Sequence, residues 1–172
     1  MSLTTEIKLV IGLILLILLN PINGQDRQLI TTIRESIFPL VSTMRQVEKR
    51  LGSPISRNNY IHVYDITDAR ITIWYGGVNP GENGCKLDVS NDTVIDILVS
   101  PKKRPLLSNL EFDLRRFKKE QTLDDEVWNY VDEEFGILLN TYESSPAEKY
   151  VIFAKFSPKA RDEKKKCVRV KN

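Results

Sequence analysis

The stretch STMRQVEKRLGSPISRNNYIHVYDITDARITIWY, residues 42–75, decides the fold class. Its first third carries helix signals. Thr43 and Gln46 have T-x-x-Q spacing, so each side chain can take a backbone N–H that the first turn leaves free. Met44, Val47 and Leu51 follow at i, i+3 and i+7, which is one face of a helix. Gly52 is placed to end that helix at positive φ, and Pro54 blocks its continuation. The remainder reads as strand. Asn59 to Ile66 alternates, Thr67-Asp68 supplies a turn, and Arg70 to Tyr75 alternates again, which predicts an antiparallel hairpin.

Reading outward, Gly76 to Ser90 is a loop rich in Gly, Asn and Pro that carries Cys85. Thr93 to Val99 is a third strand, stopped by Ser100-Pro101. The same order then returns. Ser108 and Glu111 form an S-x-x-E box before Leu110, Leu114 and Phe117, which predicts a second helix. Glu126–Val131, Ile137–Tyr142 and Lys149–Phe156 read as three more strands, the last stopped by Ser157-Pro158. Sequence echoes join the halves: VSPKK (99–103) with FSPKA (156–160), and VEKRL (47–51) with DLRRF (113–117). The expected fold is α+β, an antiparallel sheet with helices on one face, built from two fused α-β-β-β units at 36–103 and 104–158. The competing reading is one irregular α+β domain with accidental internal similarity. Ser36 to Ser42 reads as a short extended entry.

The ends of the chain suggest where it works. Residues 1–24 read as a signal peptide: Leu9 to Leu19 has no polar side chain, and Pro21 and Gly24 suit a cleavage region. That apolar run spans only about 16 Å as a helix, short of the roughly 30 Å hydrocarbon core. An uncleaved N-terminal anchor is the alternative. After cleavage no stable membrane anchor is expected, and the protein would be exported, periplasmic or extracellular. Residues 25–158 form the expected single domain, and 159–172 a basic tail with seven basic residues against two acidic. In an oxidising compartment Cys85 and Cys167 can pair, closing a loop of about 82 residues worth roughly 4–5 kcal/mol of chain entropy. Two free thiols, or pairing between chains, are the alternatives.

A helix led by a Ser/Thr box and ended by Leu-Gly-x-Pro, then a three-strand meander, resembles the β-lactamase-inhibitor-like and outer-membrane-assembly-lipoprotein folds. Closer still, PLVSTMRQVEKRLGSP (39–54), NDTVIDILVSP (91–101), LEFDLRRF (110–117) and FSPKARDEKKKC (156–167) are similar to a group of small exported bacterial proteins. These motifs are caps, turns and strand ends, so the resemblance implies a fold and a compartment but no activity. Unlike the lipoproteins, this chain has no N-terminal cysteine for lipid attachment.

Chemistry is sparse in the pattern. His62 is the only histidine, and no G-x-S-x-G surrounds a serine, which leaves hydrolase triads without a framework. The loop GGVNPGENG (76–84) lacks the G-K-[ST] of a phosphate cradle. The acidic runs Asp124-Asp125-Glu126 and Asp132-Glu133-Glu134 could supply a carboxylate pair for hydrolysis, but they lack calcium-loop spacing. Asn91-Asp92-Thr93 fits the glycosylation pattern, relevant only in a eukaryotic secretory host. No cofactor and no metal are expected, and a net charge of only +2 gives no reason to expect nucleic acid.

Strand parity carries the functional expectation. Ile61/Val63, Ile71/Ile73, Ile95/Ile97/Val99, Ile137/Leu139 and Ile152/Phe156 form an apolar set, assigned to the helix-covered core. The opposite set holds Tyr60, His62, Tyr64, Thr72, Trp74, Asp96, Trp128, Tyr130, Asn140 and Tyr142. Aromatic rings with polar tips suit a binding surface, so Tyr60, His62, Tyr64, Trp74, Asp96, Trp128, Tyr130 and Tyr142 form the candidate face; the competing reading is that loops or the basic tail cover it and leave the aromatics as a second minor core. The expected function is non-enzymatic binding of a protein or glycan partner. The rivals are an envelope structural protein that holds anionic polymer through its tail, and a carboxylate-dependent hydrolase.

Overall fold

The structure, a computed structural model, describes residues 24–76 and 85–169. Residues 1–23, 77–84 and 170–172 lie outside the described residues, and with them nearly all of the expected signal peptide and most of the expected glycine-rich loop. Eight strands form one antiparallel sheet in the order β1-β2-β3-β5-β9-β8-β7-β6. They are β1 Ser56–Arg57, β2 Ile61–Asp65, β3 Ala69–Tyr75, β5 Val94–Pro101, β6 Lys118–Gln121, β7 Val127–Asp132, β8 Ile137–Glu143 and β9 Lys149–Phe156. β4 Cys85–Leu87 and β10 Cys167–Arg169 form a separate two-stranded ribbon. The order is symmetric about its centre. Two meanders, β2-β3-β5 and β7-β8-β9, meet where β5 pairs with β9 through Ile97↔Phe156, Leu98↔Lys155 and Val99↔Ala154. Both outer edges are blunted, β1 by its two-residue length and β6 by its Lys-Lys-Glu-Gln sequence.

Three helices accompany the sheet: α1 Gly24–Ser36, α2 Met44–Leu51 and α3 Ala160–Lys166. α2 matches its sequence signals. Thr43 and Gln46 form the reciprocal capping box, and the N–H of Gly52 (φ 82°) closes the helix on the Glu48 carbonyl. Val47 of α2 and Ile30 and Ile33 of α1, with Ile37 just beyond, enter one buried cluster with Ile71, Ile73, Ile97, Val99, Leu139 and Phe156. The spacing of Ile30, Ile33 and Ile37 (i, i+3, i+7) is the stripe that buries α1. The expected extended entry at 36–42 is instead a helix end and a turn.

The second expected helix is corrected. Residues 107–117 form two 3-10 turns, Leu107–Asn109 and Leu114–Arg116. Asp113 accounts for the break. Its carboxylate accepts the backbone N–H of Arg115 (3.3 Å) and grips that guanidinium at 2.8 and 3.0 Å. An aspartate bonded to its own backbone two residues on competes with helical pairing. Leu107 and Leu110 are buried all the same, so this segment covers the sheet where the second helix was expected.

Gly136 closes the turn between β7 and β8 at φ 63°. A β-carbon there would run into the Ser157 and Pro158 carbonyls, so only glycine lets the β8 entrance approach the β9 exit.

The expected basic tail is partly folded: α3 leads into β10, which pairs with β4 by Cys167↔Leu87 and Arg169↔Cys85. The backbone thus brings together the two segments that hold the cysteines. On fresh protein from an oxidising compartment, thiol alkylation read by intact mass is expected to label neither cysteine until reductant is added. Two labelled thiols before reduction would overturn the pairing.

Candidate functional site

The strand registers divide the eight candidate residues between the two faces of the sheet. His62 lies opposite Ile73 and Tyr64 opposite Ile71, so both share the core face. Tyr130 faces Leu139 and Trp128 faces Thr141, again on the core side. His62, Tyr64 and Tyr130 are buried, and Trp128 packs against the core cluster. Trp74 pairs with Asp96, and Tyr142 with Val127 and Tyr150, on the opposite face. Tyr60 precedes β2 and is exposed. The assignment of Ile61 and Val63 to the core is therefore corrected. They sit opposite Trp74 and Thr72 on the other face and are only half-buried. Ile95 and Ile152 fall at the two irregularities of the sheet, where the registers jump from Tyr75↔Val94 to Trp74↔Asp96 and from Thr141↔Val151 to Asn140↔Phe153.

His62 and Tyr64 are inside because their polar atoms meet one another. The Tyr64 hydroxyl lies 3.4 Å from His62 Nδ1 and 3.3 Å from the Tyr75 hydroxyl, and the His62 ring stands edge-on to Tyr75 at 4.9 Å. Unpaired, each such group would cost about 1–3 kcal/mol to bury. Glu48 of α2 approaches His62 Nδ1 at 4.0 Å, and Arg57 lies beyond Glu48 at 3.8 Å. Burial, then the charge of Arg57, holds the His62 pKa below its usual value, against the pull of Glu48. Burial raises both Tyr64 and Tyr75.

A second polar knot lies on the core side of the other half. The Tyr130 hydroxyl donates to Glu143 at 2.7 Å, Lys149 donates to that hydroxyl at 3.0 Å, and Lys119 donates to Glu143 at 2.7 Å. Lys119 also sits 3.9 Å above the Trp128 ring. Burial alone would raise Glu143, but the bonds from Lys119 and Tyr130 and the two lysine charges hold it below the usual carboxylate range. Tyr130 is pushed up to about 12 by burial and by its bond to Glu143. The acidic runs go to local structure. Asp132 is buried against Arg116 at 3.1 Å and accepts the Phe135 N–H, while Asp124 and Asp125 accept bonds from Glu126 and Gln121 in the β6–β7 turn.

The opposite face holds the more accessible chemistry. Half-buried Ile61, Val63, Trp74, Leu98, Tyr142, Tyr150 and Phe153 spread across it. Among them Lys155 bridges to Asp96 at 3.2 Å beside the β5–β9 seam, and Asn140 donates to Asn129 at 2.8 Å across β7 and β8. Tyr142 is bonded to Glu126, which raises its pKa. Sequence parity found Trp74, Asp96 and Tyr142 but missed Leu98, Phe153, Tyr150 and Lys155. Alternation could have found Leu98, between Ile97 and Val99, and Phe153 and Lys155, on either side of Ala154, but not Tyr150, which reaches this face only because the β8–β9 register shifts between Asn140 and Thr141.

The chain matches no family model, no curated protein and no solved structure.

His62 sets a pH dependence. Its pKa is depressed in the folded state, so as pH falls through about 6.5 the unfolded chain binds the proton first. Stability present above that pH is then lost. The urea midpoint of the wild type should fall from about pH 7.5 to about pH 5.5, and His62→Gln should show a clearly smaller fall over that range. An equal fall in both proteins would show that the dependence arises elsewhere.

Proposed function

We propose that this is an exported, non-enzymatic binding protein that holds a protein partner on the uncovered face of its sheet. The observation that carries the reading is the composition of that face. Trp74, Leu98, Phe153, Tyr142 and Tyr150 are half-exposed around a cross-strand Asp96–Lys155 pair. Aromatic and aliphatic side chains supply area at low entropy cost, and a fixed ion pair and an Asn–Asn bond supply direction. A run of adjacent strands offers such groups over a broad area, which suits a macromolecule better than a small substrate.

The reading includes the export segment and a Cys85–Cys167 bridge, since both belong to an oxidising compartment. It also includes an origin by fusion of two α-β-β-β units. The symmetric strand order and the meeting of the two third strands at the centre support this, along with a Ser-Pro pair that ends β5 and another directly after β9.

The two tryptophans separate binding from folding. Trp74→Ala should leave the urea midpoint close to wild type and weaken a partner isolated from envelope extract by about 2 kcal/mol or more, roughly thirtyfold. Trp128→Ala should instead cost about 3 kcal/mol of stability, because the ring packs on the core under Lys119. If Trp74→Ala lowers the urea midpoint steeply while the fraction still folded binds the partner with unchanged affinity, the face is structural. Retention of a glycan in place of a protein would redirect the partner class.

A further inference from the structure

On the helix side, at the end of the sheet where β8 begins and β9 ends, a cleft of about 340 Å³ opens beside the turn that follows α1. Its floor is core: Ile37, Ile137 and Phe156 are almost fully buried. Its lip is apolar and outward. Phe38 is 47% exposed and Val41 71%, two of the few large apolar side chains that the described residues leave open to water.

The lip is held in a costly shape. Leu40 has φ 61°, the only non-glycine residue at positive φ among the described residues, a conformation that costs about 1–2 kcal/mol. It is fixed by its N–H on the Val94 carbonyl (2.7 Å), by Val94 returning to Ser42 (2.8 Å) and by the Ser42 hydroxyl on the Phe38 N–H (2.9 Å). Those bonds hold the lip in one fixed shape against the strain.

The rim is basic on balance. Arg34, in the last turn of α1, and Lys159, just before α3, both line the cleft, against Asp162 alone. The two cations rest on aromatic rings, Arg34 5.2 Å from the Phe112 centroid and Lys159 5.0 Å from that of Phe135. An apolar floor with a cationic rim complements a ligand with a hydrocarbon body and an anionic head. The volume lies at the small end of ligand pockets, about 300–1,000 Å³, which suits a single chain of moderate length.

We propose that this cleft binds a medium-chain fatty acid, its chain on Ile37, Ile137 and Phe156 and its carboxylate between Arg34 and Lys159. This site does not depend on the sheet-face reading, because it lies on the other side of the sheet.

Calorimetric titration of the full chain with decanoate and with decanol, each below its aggregation limit, tests it. Decanoate should bind one per chain, at least tenfold tighter than the alcohol. Arg34→Gln/Lys159→Gln should bring decanoate down to the level of the alcohol with an unchanged urea midpoint, and Asp162→Asn should tighten it a few-fold. No saturable decanoate binding, equal affinity for acid and alcohol, or full decanoate affinity in the folded double variant would each overturn the proposal.

Discussion

The molecule depends on three residue pairs. Ile97↔Phe156, Leu98↔Lys155 and Val99↔Ala154 are, among the described residues, the only rungs that join the β2-β3-β5 meander to the β7-β8-β9 meander. Each half alone would be a small sheet with an exposed central edge, an arrangement prone to pairing with other chains. Joined, they place Ile97, Val99, Ala154 and Phe156 under α1 and α2 in one continuous core. On the reverse side the same rungs set Lys155 near Asp96. Core and candidate face are thus two sides of one seam.

The two faces differ because the helices and the 107–117 segment bury only one of them. On that side even tyrosine and histidine go in, provided their polar atoms find partners. The Tyr64–His62–Tyr75 contacts and the Tyr130–Glu143–Lys119 bonds meet that condition. The other face keeps half-exposed aliphatic and aromatic side chains with no helix over them among the described residues. This inverts the usual expectation for β2, where the more polar parity is the buried one.

That inversion explains what the sequence could and could not reveal. The capping box at Thr43 and Gln46, the stop at Gly52 and the six main strands are local signals, so they were legible. The face was legible only where one parity was plainly apolar, as in Ile71/Ile73 and Ile97/Val99. On β2 both parities hold large side chains, and hydrogen bonding in three dimensions decides between them. Asp113 gives no sign in a spacing pattern that it will cap a 3-10 turn and clasp Arg115, so Leu110, Leu114 and Phe117 read as a helix. α1 was hidden because it begins where the sequence reads as a signal peptide, although Ile30, Ile33 and Ile37 carry the period. The cleft depends on a left-handed leucine, which composition does not announce.

The central claim is that one face of the sheet is covered and the other is open in the full chain. Hydroxyl-radical footprinting read by mass spectrometry tests it most directly, each residue's rate being scaled to its rate in the urea-unfolded chain. The account predicts that Trp74, Leu98, Tyr142, Tyr150 and Phe153 are modified several-fold faster than Tyr64, Ile71, Val99 and Leu139. Equal protection of the two sets would contradict it, because the face would then be a second core with no room for a partner.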